Sequence, residues 1–389
     1  MYKKSIDELI ALGADITTQE IVQQPELWED TLSIYDNNIE AITKFVARAK
    51  TLGGDRHTHV IFAGAGTSAY AGDTLVPYLR RQGDNDKFIF QALATTDIVS
   101  APRDFLRPED PTVLVSFARS GNSPESLAAI ERAGQVVENI LYLNITCAPD
   151  GKLAVQFAER SDGLTLLIPR ANDRGFAMTG SYSCMTLLAA LIFDTASYED
   201  KAAWIAQAAK MGREVIERED EICSWLEGDF TRITYLGSGA LGAMTREAQL
   251  KILELTAGKI ATSFDTSMGY RHGPKSFVNE KTLVFDFVSS EPYTRQYDLD
   301  ILNEIGGDDI AQHTVAIQQQ SKANYAGESF DFEDDHLMPE LYLGLPYILF
   351  AQTVALNTSI KVGNTPDTPS PTGTVNRVVK GVSIHPFES

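Results

Sequence analysis

Cysteine is scarce: Cys147, Cys184 and Cys223 are the three in 389 residues, far apart and without Cys-x-x-Cys spacing. That excludes a disulfide framework and a zinc knuckle, and predicts three buried thiols. Histidine numbers six. His57 and His59 flank one residue near a strand start and do not make a ligand set, so no metal is expected. Long apolar runs are missing too. None approaches the roughly 18 residues that cross a bilayer, and the opening MYKKSIDELIALGADITTQE has too short an apolar segment and too many acids for a signal peptide. The expected location is the cytoplasm, without membrane contact. Positive charge is in deficit, 33 Lys and Arg against 53 Asp and Glu, a formal −20. Long-range repulsion disfavours nucleic acid, and no local basic patch offsets it. A small phosphorylated ligand stays open, because hydroxyls and backbone N–H groups at a helix N-terminus hold a phosphate with few cations.

What is present is ordinary globular material, 43% apolar and 22% charged, at a length that suits two domains. Residues 1–50 have helical spacing, with Pro25 at a helix start before Leu27 and Trp28. This arm carries nine acids against five bases, which argues against a DNA-reading domain. At His59 the character changes. HVIFAGAGTSAYAGDTLVPYLRR reads as strand, glycine turn and helix, an anion cradle. PTVLVSFARSGNSPESLAAIERAG repeats it: a strand over Val113–Phe117 leads into Arg119, Ser120, Gly121, Asn122 and Ser123, then Pro124 and Glu125 open a helix with Ser123 as N-cap. NILYLNIT and a segment at Gly163–Ile168 continue the alternation, giving an α/β domain with a mostly parallel sheet.

Gly64, Gly66 and Ala69 fit GxGxxA, but a dinucleotide site also wants an acid at the end of the second strand, and KFIFQALATTD ends its apolar run at Gln91 and Ala92. Hydroxyls stand there instead: Thr67 and Ser68 after one strand, Ser120 and Ser123 after another. Two strand ends rich in Ser and Thr suit one compact phosphate. In ANDRGFAMTGSYSCMTLLAALIFD the polar front with Thr179, Ser181 and Ser183 is expected to face a pocket, before an apolar core helix. From Arg232 the pattern restarts about 170 residues on. RITYLGSGALGAMTREAQLKILEL repeats strand, turn and helix, TLVFDFVSSEPYTRQYDLDILNEIG echoes the second unit with Ser289 and Ser290, and HTVAIQQQ echoes the third strand. The chain reads as an internal duplication: an arm over 1–50, one domain over 51–200 and another over 201–389. Gly237, Gly239 and Gly242 of the second copy are assigned to packing.

The second copy holds the most suggestive stretch, EAQLKILELTAGKIATSFDTSMGYRHGP. Leu241, Met244, Ala248, Ile252 and Leu255 form one helical stripe, with Glu247, Lys251 and Glu254 beside it at i, i+4 and i+7. From spacing alone this is a surface salt-bridge ladder of about 0.3–0.5 kcal/mol per pair. Arg271, His272, Gly273 and Pro274 follow in a loop suited to chemistry.

EIVQQPELW, AGAGTSAYAGD, SFARSGNSPES, REAQLKILELTAGK, GYRHGPKS and SPTGTVNRVVKGV together resemble the double sugar isomerase (SIS) domain proteins, in particular the AgaS family of amino-sugar phosphate deaminase/isomerases. The sequence is also similar to the isomerase half of glucosamine-6-phosphate synthase. The resemblance covers nearly the whole chain. It implies two tandem SIS domains, each a three-layer αβα nucleotide-fold-like unit, behind a helical N-terminal arm. It implies a phosphate site at Gly66, Thr67, Ser68, Arg119, Ser120, Asn122 and Ser123, where Arg119 replaces a glutamine, with Thr179 and Ser181 as further candidates. Glu254 takes the place of the glutamate that moves a proton between C1 and C2, His272 that of the ring-opening histidine, and Lys380 that of a C-terminal lysine. The implied substrate is a phosphorylated amino sugar, galactosamine 6-phosphate giving tagatose 6-phosphate and ammonia, with no metal or redox cofactor. A homodimer is implied, with sites completed across the interface and the histidine donated by the neighbour. Plain aldose/ketose isomerisation and non-catalytic sugar-phosphate sensing are the other readings.

Overall fold

The computed structural model describes every residue except Glu159, Asp335, Lys380 and Ser389. Among the described residues, ten strands form two parallel sheets. The first contains Thr58–Gly64 (β1), Phe88–Ala94 (β2), Thr112–Ala118 (β3), Ile140–Thr146 (β4) and Gly163–Leu167 (β5), in the order β2-β1-β3-β4-β5. The second contains Arg232–Gly237 (β6), Ala261–Thr266 (β7), Thr282–Phe287 (β8), His313–Gln319 (β9) and Glu328–Phe332 (β10), in the order β10-β9-β8-β6-β7. Matched strand for strand, the two orders are the same, as an internal duplication requires. β7 and β10 lie at the edges of the second sheet. They escape a search for apolar runs because an edge strand such as ATSFDT leaves most of its side chains partly exposed.

Each sheet is buried by an aromatic stack against a long apolar helix. In the first, Phe62 lies 5.9 Å from Phe117 and 5.8 Å from Phe193 of the Gly180–Phe193 helix. In the second, Tyr235 lies 5.5 Å from Phe285, which meets Phe350 of the Glu340–Lys361 helix edge-on at 5.6 Å. Such pairs contribute about 0.5–1.5 kcal/mol beyond their buried area. The Glu340–Lys361 helix has 22 residues and is long and apolar enough to cross a membrane. It escapes a run count because Gln352, Thr353 and Asn357 interrupt its apolar letters, yet 89% of its apolar window is buried inside the chain, which makes it a core helix.

By contacts the chain forms two units. One comprises Met1–Glu26, Arg174–Thr179 and Ala203–Thr374, and contains the second sheet; the other comprises Leu27–Asp173, Gly180–Ala202 and Val375–Ser389, and contains the first. These units cut across the three consecutive segments expected from sequence. The arm divides after Glu26. Its beginning is fixed by the Met1 ammonium on Glu219 at 2.5 Å and by Gln24 on Gln352 at 2.5 Å. Its continuation is the Gln24–Asn37 helix, with Pro25 in the first turn, and Trp28 of that helix donates to Ser183 Oγ at 2.9 Å. The C-terminal tail joins the first sheet, where Arg132 donates to the His385 carbonyl at 2.8 Å. Of the cysteines, Cys147 and Cys184 are buried but Cys223 is only partly so. Burial pushes the Cys184 thiol up to about 12.

Candidate functional site

The first sheet has its switch point between β1 and β3, the place where open α/β sheets bind ligands at their carboxyl edge. Two helices begin there, Thr67–Gln82 and Pro124–Val136, and the positive ends of their dipoles favour an anion. Glycine is required at the turn: a Cβ on Gly64 would lie 2.4 Å from the Ser68 carbonyl carbon, and Gly66 has φ 55°. The edge thus gathers Gly66, Thr67 and Ser68 with Arg119, Ser120, Asn122 and Ser123. Ser123 occupies the N-cap position, but its Oγ pairs with Ser126 Oγ at 2.7 Å and makes no backbone cap. Asn122 braces the loop by accepting the Lys152 N–H at 3.1 Å. Arg119 is 7% exposed and donates to the Arg377 carbonyl at 2.9 Å, while the Arg377 guanidinium bonds the Asp173 carbonyl. The tail therefore holds the one arginine of this loop, a tie invisible in a motif.

Thr179 and Ser181 differ from expectation. Both are fully buried. Ser181 gives its N–H and Oγ to Asp173 Oδ2 at 2.9 and 2.5 Å, and Gly180 gives its N–H to Oδ1 at 3.2 Å, so Asp173 caps the Gly180–Phe193 helix. Ser183 is occupied by Trp28. The polar front of this segment thus contributes to folding, with the Ser181 hydroxyl engaged by Asp173.

In the other unit, the Gly239–Leu255 helix buries the expected stripe of Leu241, Met244, Ala248, Ile252 and Leu255. Beside it the surface-ladder reading fails. Lys251 and Glu247 have no exposed side-chain surface, while Glu254 keeps 24%. The Lys251 ammonium lies 3.1 Å from Glu247 Oε1 and donates to Glu254 Oε2 at 2.6 Å. Burial alone would pull the Lys251 pKa down, but the two carboxylates outweigh it and raise it, so the ammonium persists. Glu254 is left with Oε2 fixed, while Oε1 has no hydrogen-bond partner among the described residues. The helix stops just beyond it: Ala257 and Gly258 have φ 51° and 72°, the Gly258 N–H returns to the Leu253 carbonyl at 2.9 Å, and Ser359 and Asn364 take the Leu255 carbonyl.

The histidine loop follows β7. Tyr270 is fully buried in a cluster with Leu236, Val284, Ile301 and Ile305. Arg271 Nε reaches Glu304 Oε2 at 2.6 Å, and Lys275 reaches Glu304 Oε1 at 2.5 Å and Asp308 Oδ2 at 2.6 Å. These ties leave His272 exposed at the tip between two clamped cations. Arg271, the arginine of this loop, is engaged with Glu304. Lys380 lies outside the described residues.

No protein-family model matches the chain. Among curated proteins it is 41% identical over 385 residues to the D-galactosamine-6-phosphate deaminase AgaS of Escherichia coli, covering 96% of each chain. This chain belongs to the AgaS family. A second AgaS relative, the D-galactosamine-6-phosphate deaminase of Shewanella sp. strain ANA-3, is 39% identical over 388 residues, covering 98% of this chain and 95% of that one. Among solved structures, the tagatose-6-phosphate ketose/aldose isomerase of Escherichia coli superposes with a TM-score of 0.85 at 37% identity, covering 96% of this chain and 97% of that one. The two-sheet SIS architecture found here is shared with that structure.

Proposed function

We propose that the chain is an amino-sugar phosphate deaminase, converting D-galactosamine 6-phosphate to D-tagatose 6-phosphate and ammonia. The observation that carries this reading is the pinned Glu254, whose Oε2 is fixed by a buried ammonium while Oε1 remains open. Such a carboxylate suits general-base chemistry, which typically supplies about 10²–10⁴-fold.

In this reading the hydroxyls and N–H groups of residues 66–68 and 119–123 hold the 6-phosphate. His272 assists ring opening. Glu254 takes the proton from C2 of the open-chain aldehyde, leaving an enol whose C2 carries the amine, and returns a proton to C1. The product of that transfer is a C2 imine. Water adds to C2, the C–N bond breaks, and ammonia leaves with the ketose. Lys380 contributes a substrate contact. The sites belong to a cytoplasmic homodimer, with His272 supplied by the neighbouring subunit, so Glu254 and His272 of one chain serve different sites.

A second reading, aldose/ketose isomerisation without deamination, is favoured by the name of the Escherichia coli structural relative. Both readings use the same C2-to-C1 transfer and part at the imine. Incubation with galactosamine 6-phosphate and with glucosamine 6-phosphate, measuring ammonia and ketose separately, decides between them. Equimolar ammonia and ketose from the galacto substrate is the expected result. Rearrangement without ammonia from either amino sugar overturns the deaminase assignment.

A further inference from the structure

The second sheet repeats the phosphate cradle's architecture, and its cradle already has an occupant. Its switch point lies between β6 and β8, where the Gly239–Leu255 and Pro292–Asp308 helices begin. In sequence, the glycines of this edge, Gly237, Gly239 and Gly242, read as packing. In the structure it has hydroxyls, and carboxylates of the chain itself take them. Asp298, fully buried, accepts from Ser238 Oγ at 2.5 Å, from Ser267 Oγ at 2.5 Å and from the Ser289 N–H at 2.9 Å. Glu340 Oε1 accepts from Ser289 Oγ at 2.5 Å, and its Oε2 packs against Gly239, 3.4 Å from where a Cβ would stand. Asp286 adds a weaker contact to Ser267 Oγ at 3.4 Å.

These donors come from three strand ends. Ser238 follows β6, Ser267 follows β7 and Ser289 follows β8. Ser267 is also the root of the loop that carries His272. We infer that Asp298 is a positioning residue: its carboxylate occupies the second domain's anion cradle as an internal ligand, ties the ends of β6, β7 and β8 together, and thereby fixes the root of the His272 loop. The duplication has kept the anion-holding geometry in both halves, open to substrate in one and filled by the chain in the other. The catalytic consequence rests on the proposed role of His272; the structural claim does not.

The test is hydrogen exchange of the backbone amides over residues 267–273 in the full chain, with formate as the probe. Asp298→Ala should speed exchange there about tenfold or more, the scale of one lost charge-assisted hydrogen bond. Formate, refilling the vacated carboxylate position, should slow it again. Activity should fall with a lowered kcat, a near-normal KM, and recovery in formate, which a purely structural lesion would not show. Ser267→Ala removes only the loop's own tie and covers the case in which Asp298→Ala does not fold; it should speed exchange without any response to formate. A folded Asp298→Ala chain with unchanged exchange overturns the inference, as does faster exchange that formate leaves untouched. So does unchanged exchange in Ser267→Ala. If exchange behaves as expected but the wild type releases neither ammonia nor ketose, the loop assignment stands and the deaminase reading falls.

Discussion

Replacing Lys251 by methionine keeps most of the side-chain volume and removes the charge. In the native chain its ammonium is fully buried, 3.1 Å from Glu247 Oε1 and 2.6 Å from Glu254 Oε2. Without it a fully buried carboxylate and a mostly buried one on the same helix lose the ammonium they share. Removing one partner of a buried pair costs about 3–5 kcal/mol. Glu247→Gln removes one of the two buried carboxylates, so Glu247→Gln added to Lys251→Met should be less destabilised than Lys251→Met alone. For a folding unit of roughly 200 residues the expected loss is a Tm drop of about 6–20 °C. The assay is thermal unfolding at pH 7.5, with urea midpoints at matched m-values as a check, because a chain with two units need not unfold in one step. kcat should fall as well, since Glu254 loses the bond that orients it. A Tm within about 2 °C of wild type, with activity retained, would show that the ammonium is solvated and the buried triad wrong.

Other consequences follow from the same contacts. Ser120→Ala should raise KM about tenfold or more with little change in kcat, the signature of a lost contact to a charged group made equally in ground and transition states; steady-state kinetics checks it. Burial raises the Asp298 carboxyl to about 6, and the nearby Asp286 is driven up by burial and by Asp298 itself. A carboxyl with a raised native pKa binds its proton more tightly folded than unfolded. The wild type should therefore gain on Asp298→Asn by up to about 3 kcal/mol as pH falls from 7 to 4, and parallel stability curves would contradict this. Glu304 behaves oppositely, held below the usual carboxylate range by Lys275 and Arg271. Its contribution is present at neutral pH and lost in acid. Because the group is over a third exposed, Glu304→Gln should cost no more than about 1 kcal/mol at pH 7 and less at high salt.

The strands other than the edge strands β7 and β10, the glycine turns and the duplication were legible because each is local: an apolar run, a Gly-x-Gly, a repeated spacing. Glu254 and His272 were singled out as candidates by resemblance. What stayed hidden depends on partners distant in sequence. Glu247, Lys251 and Glu254 have the same spacing in a surface ladder and in a buried triad, and burial decides between them. Asp298 sits 60 residues from Ser238 and 31 from Ser267, so nothing local marks it. Ser181 bonds Asp173 in the structure, and in sequence a Ser/Thr-rich helix start looks the same whether its hydroxyls meet a ligand or a capping carboxylate. The tail's tie to Arg119 spans 258 residues.

The role of Glu254 is tested most directly by proton exchange at C2. Substrate incubated with enzyme in deuterium oxide, recovered before completion, should carry deuterium at C2 with the wild type and none with Glu254→Gln. Full C2 exchange in the Glu254→Gln variant would remove Glu254 from the chemistry and leave it as a partner of Lys251 alone.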